Sequence, residues 1–315
     1  MPTPDNWHGL LSVDKPAGIT SHDVVARVRY AINQRSVGHT GTLDPRATGL
    51  LVLCLGRATK VVQFISNLDK TYIADICFGR TSETFDSEGL NDEVPAADVP
   101  ELDDTRIHIL LSEYTGKVTQ VVPAYSAVKV KGVPLHRTTR RGEEVELPER
   151  EVEFKSIRML SYHAPFLRIE LTCSKGAYVR TLAHDLGSRL GCGAYLAELR
   201  RTMVGDYSVS DAVTLEELAK RVKSHRLGNL IVPLESALKF GALKVTDEFG
   251  RQVVTGRAVR FPDVLGVDGN FCEGDRVVLK DSTGHVLAIG TAGVDSGALG
   301  KDPGKALFNY LRVLN

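Results

Sequence analysis

The sequence predicts an α+β protein of two domains, and three observations support that fold class. The chain has 315 residues, which suits two domains of about 100–200 residues each. Helical and alternating apolar patterns are interspersed over the first part of the chain. Beyond Phe240 they give way to short apolar runs separated by glycine, a pattern typical of a small β-barrel. We therefore expect a first domain at residues 1–240 and a C-terminal β-barrel at residues 241–315.

The first elements follow from local patterns. An apolar stripe predicts a helix at Ser21–Ile32, which Thr20 or Ser21 can cap. A Gly- and Pro-rich loop is predicted at Gly38–Gly49. The apolar run Leu50–Leu55 predicts a buried strand, and alternation predicts a half-exposed strand that begins at Tyr72.

The same signals predict the remaining elements. They are a short helix at Ile107–Tyr114, a hairpin of Tyr125–Val130 and Val133–Leu135 around Lys131-Gly132, strands at Val152–Leu160 and Phe166–Cys173, a helix at Tyr178–Leu190, and a helix from a capping box at Thr214 and Glu217 to about Val222. In the C-terminal part, strands at Arg276–Leu279 and Val286–Ile289 flank a turn at residues 281–284.

Composition excludes several classes of protein. Hydrophobic residues make up 43% and charged residues 25% of the chain, as in ordinary globular proteins. No apolar run approaches the ~18 residues of a membrane span, and Met1–Leu10 lacks the features of a secretory signal. The five cysteines show neither disulfide nor zinc-site spacing. We therefore expect buried thiols in a cytoplasmic protein that contacts no membrane and needs neither a metal nor another cofactor.

Charge is distributed unevenly, although the formal net charge is zero. An acidic stretch, predicted as a surface loop, covers Asp86–Asp104 and includes Asp92 and Glu93. A basic run without acids covers Ala127–Arg141 and contains Lys129, Lys131, Arg137, Arg140 and Arg141. Such segregation can leave one basic face on a neutral protein. The run is therefore a candidate phosphate-binding surface, and a solvated charged hairpin is the alternative.

The loop GHTGTLDPRATG at residues 38–49 carries the most chemical information. Its three glycines permit unusual backbone angles, and Pro45 restricts the residue before it, Asp44, to an extended conformation. A rigidly held carboxylate suits a nucleophile, whereas a structural Asx-turn is the alternative. The loop lacks the ending of a P-loop and does not fit G-x-G-x-x-G, which argues against nucleotide-cofactor binding.

This loop resembles the signature of the bacterial tRNA pseudouridine-55 synthases, the TruB family. Four further segments resemble that family in order and spacing, so that the resemblance spans about Gly9 to Gly205. They are DKPAGITS at residues 14–21, KTY at residues 70–72, PAYSAVK at residues 123–129 and SKGAYVR at residues 174–180. The tail resembles the PUA-type RNA-binding barrel. The resemblance implies a pseudouridine synthase fold, with a mixed and mainly antiparallel central sheet flanked by helices.

The resemblance also implies a role for each matched residue. Asp44 would be the nucleophile, paired with Arg180, and Tyr72 would stack on the uracil and take the proton from C5. Substrate contacts are implied for His39, which would help to open the T-loop, for Lys15 and Pro16 below the site, and for Tyr178 and Leu199 in the pocket. The departure from the family pattern is His136, where the family usually has Tyr, and it affects local RNA contacts.

The chemistry agrees with these roles. Converting uridine to pseudouridine breaks a C–N bond and forms a C–C bond, and a carboxylate can add covalently and leave again. The base must first be flipped out of the RNA stack. We expect a monomer that acts on the T-arm and T-loop of tRNA without an obligatory protein partner. The alternatives are the catalytic subunit of a guide-RNA-dependent particle and an RNA-folding protein without catalysis.

Overall fold

The structure is a computed structural model that describes residues 7–91, 96–143, 145–302 and 304–314. The acidic residues Asp92 and Glu93 of the predicted surface loop lie outside these ranges. None of the helices in the described ranges is long and apolar enough to cross a membrane.

Strands are numbered along the chain as follows: β1 (Gly9–Lys15), β2 (Val37–His39), β3 (Thr48–Leu55), β4 (Lys70–Phe78), β5 (Gly116–Val121), β6 (Lys129–Val130), β7 (Val133–Pro134), β8 (Glu149–His163), β9 (Phe166–Cys173), β10 (Ala194–Val204), β11 (Tyr207–Ser208), β12 (Ile231–Val232), β13 (Gly241–Val245), β14 (Val264–Asp268), β15 (Arg276–Lys280), β16 (Val286–Ala292) and β17 (Phe308–Val313). The α-helices are α1 (Ser21–Ala31), α2 (Val62–Ile65), α3 (Asp104–Ser112), α4 (Leu135–Thr139), α5 (Val179–Leu190), α6 (Leu215–Lys223), α7 (Leu234–Ala237) and α8 (Asp247–Gly250). Short 3₁₀ turns lie at Gly56–Val61, Ser87–Gly89, Val209–Asp211, Leu227–Leu230, Val253–Thr255, Phe261–Asp263 and Ser296–Ala298.

One large mixed sheet dominates the first part of the described chain. Its strands run in the order β12-β1-β3-β10-β4-β9-β8-β5, with β2 added to β3 and β11 added to β10. All of these pairs are antiparallel except β3 with β10. The predicted α+β fold with a mixed, mainly antiparallel sheet is confirmed. Because β10 lies between β3 and β4, it brings together segments that are far apart in the sequence.

Local signals placed several elements correctly. Thr20 caps α1, whose Val24, Val25 and Val28 are buried. Thr214 caps α6 by accepting a hydrogen bond from the backbone of Glu217. In the β6–β7 hairpin, Lys131 and Gly132 have φ values of 50° and 86°, as two-residue hairpin turns require. The boundaries of β9 also agree with the prediction.

Other boundaries were wrong. Gly38 and His39 belong to β2, because His39 pairs with Leu53 of β3, and Thr48 already begins β3. The strand predicted from Tyr72 starts at Lys70, where it pairs with Val204 of β10. The predicted helix at Ile107–Tyr114 instead spans Asp104–Ser112, since the side chain of Asp103 caps it.

The hairpin and cysteine predictions need similar corrections. Only Lys129–Val130 forms the first hairpin strand, and Leu135 begins α4 instead of ending the second strand. Four of the five cysteines are buried free thiols, as predicted, but Cys272 is exposed. It lies in a turn before β15, where its backbone N–H donates to Asp275.

A second sheet of five strands, ordered β14-β13-β15-β16-β17, forms the C-terminal part. It has its own apolar cluster, which includes Leu243, Phe249 and Val277. A further cluster joins both sheets, since Leu10 and Leu50 pack there with Ile289. The sheet agrees with the predicted small C-terminal β-domain, and the division of the chain at Phe240 stays a prediction.

Candidate active site

A cavity of about 840 Å³ opens where the loop before β3, the start of α5 and the middle of the large sheet meet. Six of the sequence-predicted site residues line it, and they come from separate segments of the chain. They are Asp44, Tyr72, Tyr178, Arg180, Leu199 and, from the predicted basic run, Arg140. The fold therefore brings the predicted catalytic trio to one place.

The loop that carries Asp44 is held rigidly from below. The hydroxyl of Ser21 donates to the carbonyl of Leu43 at 3.0 Å and accepts from its N–H at 2.8 Å. The ammonium group of Lys15, which is fully buried, donates to the carbonyl of Pro45 at 3.0 Å. Both residues beside Asp44 are thus fixed, while its own side chain remains 42% exposed to the cavity.

The alternative reading of Asp44 as a structural Asx-turn is not supported by the contacts. Among the described residues, its carboxylate forms an ion pair with Arg180 and no hydrogen bond to its own loop is present. Of the three glycines that were expected to permit unusual backbone angles, only one has a positive φ value. Gly49 has a φ of +100°, and a Cβ there would lie 2.2 Å from the carbonyl oxygen of Arg201. Gly38 and Gly41 do not have positive φ values.

Arg180, in the first turn of α5, reaches the cavity with 5% of its surface exposed. Its Nε lies 3.7 Å from Oδ2 of Asp44, and its Nη1 lies 3.8 Å from Oδ2 of Asp86. Its Nη2 donates to the carbonyl of Tyr125 at 2.8 Å. The Nε itself has no hydrogen-bond partner. Its Nη1 also donates to the carbonyl of Thr84 at 3.4 Å, so the guanidinium is positioned by two carbonyl groups and two carboxylates.

The start of α5 is fixed by a side chain on β5. The amide of Gln120 donates to the carbonyl of Tyr178 at 3.1 Å and accepts from its N–H at 3.0 Å. Tyr178 is the N-cap of α5, and its ring lies 5.7 Å from the Arg180 guanidinium carbon. Because a buried polar group that satisfies both backbone groups is costly to lose, Gln120 holds the helix turn that presents Arg180.

Sequence reasoning assigned no role to Asp86, which is buried beside Arg180. The residue before it, Phe85, has a φ of 64° and stacks on the ring of His184 with centroids 4.0 Å apart. Burial lowers the pKa of His184. No pattern in the sequence marks this arrangement, because a non-glycine residue with positive φ cannot be read from residue type. The strained turn at Phe85 thus positions Asp86 beside Arg180.

Tyr72 forms part of the cavity floor, with 9% of its surface exposed. Burial raises the pKa of its phenol, and the charge of Arg201 acts in the opposite direction. The charge that lowers the pKa of the phenol belongs to Arg201 of β10, a residue for which the sequence predicted no role.

Three buried cations lie under or beside the cavity. Arg201 is 1% exposed, Lys15 is fully buried, and Lys70 is 6% exposed. The pKa of Lys15 and of Lys70 is lowered to about 8, chiefly by burial and also by the charge of Arg201. Lys70 donates to two carbonyls in the chain before β4, at 2.6 and 2.5 Å. Lys70 and Arg201 thus place two cationic groups in the cavity lining, and Lys15 lies outside it.

The other predicted substrate-binding residues lie around this centre. His39 is half-buried on β2 and lies outside the cavity lining, and burial followed by the charge of Arg201 lowers its pKa. Pro16 accepts a hydrogen bond from Lys15 through its carbonyl. Of the basic run, Lys129, Lys131, Arg137 and Arg141 are exposed outside the cavity lining. His136 lines the cavity, and its Nδ1 lies 2.9 Å from the carbonyl oxygen of Ser126.

Comparisons with known families account for most of the chain. Residues 29–179 match the model described as TruB family pseudouridylate synthase (N terminal domain). Residues 180–239 match the tRNA pseudouridylate synthase B C-terminal domain, and residues 241–305 match the PUA domain. The three matches adjoin one another in this order and include most strands of both sheets, all except β1 and β17.

Curated relatives agree with these matches. The chain is 42% identical over 289 residues to the tRNA pseudouridine synthase B of Geobacter sulfurreducens, covering 91% of this chain and 94% of the relative. It is 37% identical over 317 residues to the tRNA pseudouridine synthase B of Syntrophus aciditrophicus, covering 98% of each protein. The similarity therefore extends over almost the whole length of both relatives.

A solved structure shares the fold. The chain aligns with a chain of a crystal structure described as a Cbf5-Nop10-Gar1 complex, with a TM-score of 0.75 and 26% identity, covering 98% of this chain and 85% of that one. A structure of an H/ACA RNP bound to a substrate RNA aligns equally well, with a TM-score of 0.75 and 24% identity. This second likeness shows the fold alone.

Proposed function

Since the chain belongs to the TruB family of pseudouridylate synthases, we propose that it isomerises the T-loop uridine of tRNA at position 55, with Asp44 as nucleophile. One observation carries the proposal: the half-exposed carboxylate of Asp44 faces a cavity beside Arg180 and above Tyr72. The names of its relatives support tRNA as the substrate. The position within the tRNA rests on the sequence motifs.

The cavity suits a flipped nucleotide. At about 840 Å³ it has room for a base and its sugar, and a base inside a stacked RNA must be turned outward before an enzyme can reach it. The cationic groups of Lys70 and Arg201, which line the cavity, attract the phosphates on either side of that nucleotide. The ring of Tyr72 offers a face for the uracil, and stacking of this kind is worth about 1–3 kcal/mol per base.

The chemistry then proceeds through Asp44. Its carboxylate attacks C1′ and displaces N1, the released uracil turns, and C5 then attacks C1′ and displaces the carboxylate. Arg180 orients the carboxylate, since its Nε lies 3.7 Å from Oδ2 of Asp44. Finally the C5–H bond breaks, and the phenolic oxygen of Tyr72 takes the proton.

Two alternatives are separated by one experiment. Purified protein is incubated with unmodified tRNA labelled with tritium at C5 of uridine, and the release of label is mapped to a position. Release from the T-loop uridine without added RNA or protein supports a stand-alone enzyme. Release only after a guide RNA is added would support the particle subunit, to which the shared fold gives some weight. Binding without any release would support an RNA-folding role.

A further inference from the structure

The guanidinium of Arg201 lies in the floor of the cavity, and the mechanism above gives it no chemical role. Its Nε donates to the carbonyl of Leu50 at 2.7 Å, and its Nη2 donates to the carbonyl of Gly41 at 3.0 Å. Among the described residues it forms no ion pair with a carboxylate. A buried charge held only by carbonyl groups is costly for stability, so its position calls for a functional explanation.

The sheet register places Arg201 beside Tyr72. The two residues are direct cross-strand partners on β10 and β4, and Gly49 of β3 is the partner of Arg201 on its other side. Side chains of directly opposed residues lie on the same face, with Cβ atoms about 4.5–5.5 Å apart. Gly49 has no side chain, and its backbone lies against that of Arg201. The register therefore places the two side chains next to each other on one face of the sheet, and both line the cavity.

The last step of the reaction makes a specific demand on Tyr72. The C5–H bond breaks and the proton passes to the phenolic oxygen. The C–H electron pair forms the double bond between C5 and C6, while the π electrons of the C6–N1 double bond move to N1. N1, released from the sugar, takes a proton from water, so atoms and charge balance. Only the phenolate can accept this proton. An ordinary phenol has a pKa near 10, so the phenolate is scarce at neutral pH.

We propose that Arg201 is the positioning residue that maintains Tyr72 as a proton acceptor, because its guanidinium lines the same cavity from the strand position directly opposite Tyr72, where a positive charge stabilises the phenolate. This inference rests on the proposed function, in which Tyr72 takes the C5 proton. Arg201 acts through Tyr72 and also anchors the loop of Asp44, so it links the proton acceptor to the nucleophile.

Apart from Arg201, the groups that influence the Tyr72 phenol all raise its pKa and so disfavour the phenolate. Burial is the largest influence and raises the pKa of the phenol, and the Cys173 thiol and the Asp44 carboxylate raise it as well. Arg201 lowers it, chiefly through its charge. Removing the guanidinium would therefore leave only influences that disfavour the phenolate.

The pH dependence of C5-proton release tests the proposal in single-turnover reactions. Three variants are compared with wild type: Arg201→Gln removes the charge but keeps a donor for the backbone carbonyls, Arg201→Lys keeps a charge, and Arg200→Met is the matched control. Arg200 is the neighbouring arginine on the same strand and pairs instead with Asp14. The rate of C5-proton release is plotted against pH, and the part of this curve that rises with pH is its ascending limb. For Arg201→Gln we expect this limb to move to higher pH, with about tenfold less release at neutral pH for each unit by which the pKa of Tyr72 rises. The ascending limb of Arg201→Lys should lie between those of wild type and Arg201→Gln. The limb of the control, Arg200→Met, should coincide with that of wild type.

Fluorinated tyrosine at position 72 provides the readout that a merely structural role would not change. Its phenol is more acidic than that of tyrosine, so it should restore release by Arg201→Gln at neutral pH. A folded Arg201→Gln protein with an unshifted limb, or a wild-type rate that does not vary with pH, would overturn the proposal. If Arg201→Gln does not fold, Arg201→Lys decides the question. A lower maximal rate for Arg201→Lys with an ascending limb at the wild-type pH would contradict the proposal equally.

The Tyr72→Phe variant separates this inference from the function it rests on. If Tyr72→Phe releases the C5 proton at the wild-type rate, the proton-acceptor role of Tyr72 fails, and the role of Arg201 fails with it. If Tyr72→Phe stalls but the limb of Arg201→Gln is unshifted, the proposed function stands and only the role of Arg201 is wrong.

Discussion

The hydroxyl of Ser21 binds both backbone groups of Leu43, the residue directly before Asp44. Ser21 is the first residue of α1 and is 1% exposed. A single side-chain oxygen thus ties the start of a helix to the loop that carries the proposed nucleophile. The position of the Asp44 carboxylate depends on a residue that does not itself contact the cavity.

Ser21→Ala should therefore impair both stability and rate. It leaves a buried N–H and a buried carbonyl unsatisfied, which costs about 1–3 kcal/mol, and it loosens the loop of Asp44. Thermal unfolding and single-turnover isomerisation measure the two effects. Ser224→Ala, which removes an exposed hydroxyl that bonds to the carbonyl of Arg221 near the end of α6, is the control. A Ser21→Ala protein with wild-type rate and stability would contradict this role.

Arg180→Lys should reduce isomerisation far more than it reduces tRNA binding. A lysine keeps the charge, but it cannot present a planar fork to Asp44, Asp86 and the carbonyl of Tyr125 at once. The control is Arg189→Lys on the same helix, where the arginine pairs with Glu113 at the surface. Single-turnover rates and filter binding are measured for both. Equal rates in the two variants would show that the geometry around Arg180 is unimportant.

Tyr72 combines two roles that substitution can separate. Tyr72→Phe keeps the ring face and removes the oxygen, so it should bind RNA almost normally and stall with the new C–C bond formed and the C5 proton retained. Tyr72→Leu also removes the face, worth about 1–3 kcal/mol of stacking, and should hold the flipped base less tightly. Release of the C5 proton and RNA affinity report the two roles. Near wild-type release by Tyr72→Phe would leave stacking as the only role.

The basic run is expected to contact phosphates. Replacing Arg137, Arg140 and Arg141 with alanine should weaken tRNA binding and flatten its salt dependence, by about 0.7–0.9 in the log–log slope for each lost contact. Affinity measured from low to high salt gives this slope. A matched triple variant on α6, at Lys220, Arg221 and Lys223, removes the same charge away from the cavity lining. If both variants change the slope equally, the run is an ordinary solvated surface.

Much of the fold was readable from local signals, and the missing parts have a common cause. Caps, alternation and the Lys131-Gly132 turn depend on neighbouring residues. Strand β10 was not predicted, because its centre is charged and its apolar pattern is irregular. Arg201 can be buried there only because carbonyls about 150 residues earlier accept its hydrogen bonds. Such long-range pairing leaves no periodic signal in the sequence.

The candidate site was predicted only in part, because some of its residues are positioned by long-range contacts. The segments that resemble the family indicated Asp44, Tyr72 and Arg180, and the structure brings these together around one cavity. The sequence did not predict the place of Asp86 in the site, nor that Ser21 and Gln120 hold the backbone of neighbouring segments. They act through contacts with residues far along the chain, as in the bonds from Gln120 to Tyr178.

Asp44→Asn tests the central claim most directly. Asparagine keeps the size of the side chain but cannot act as the carboxylate nucleophile, whereas affinity comes mainly from phosphates and RNA shape. Single-turnover conversion of the T-loop uridine and filter binding are measured on the same preparation, with Asp206→Asn, an exposed carboxylate paired with Lys239, as control. The account predicts no detectable pseudouridine with tRNA binding within a few-fold of wild type. Conversion within about tenfold of wild type, a difference of only ~1.4 kcal/mol in the barrier, would contradict it.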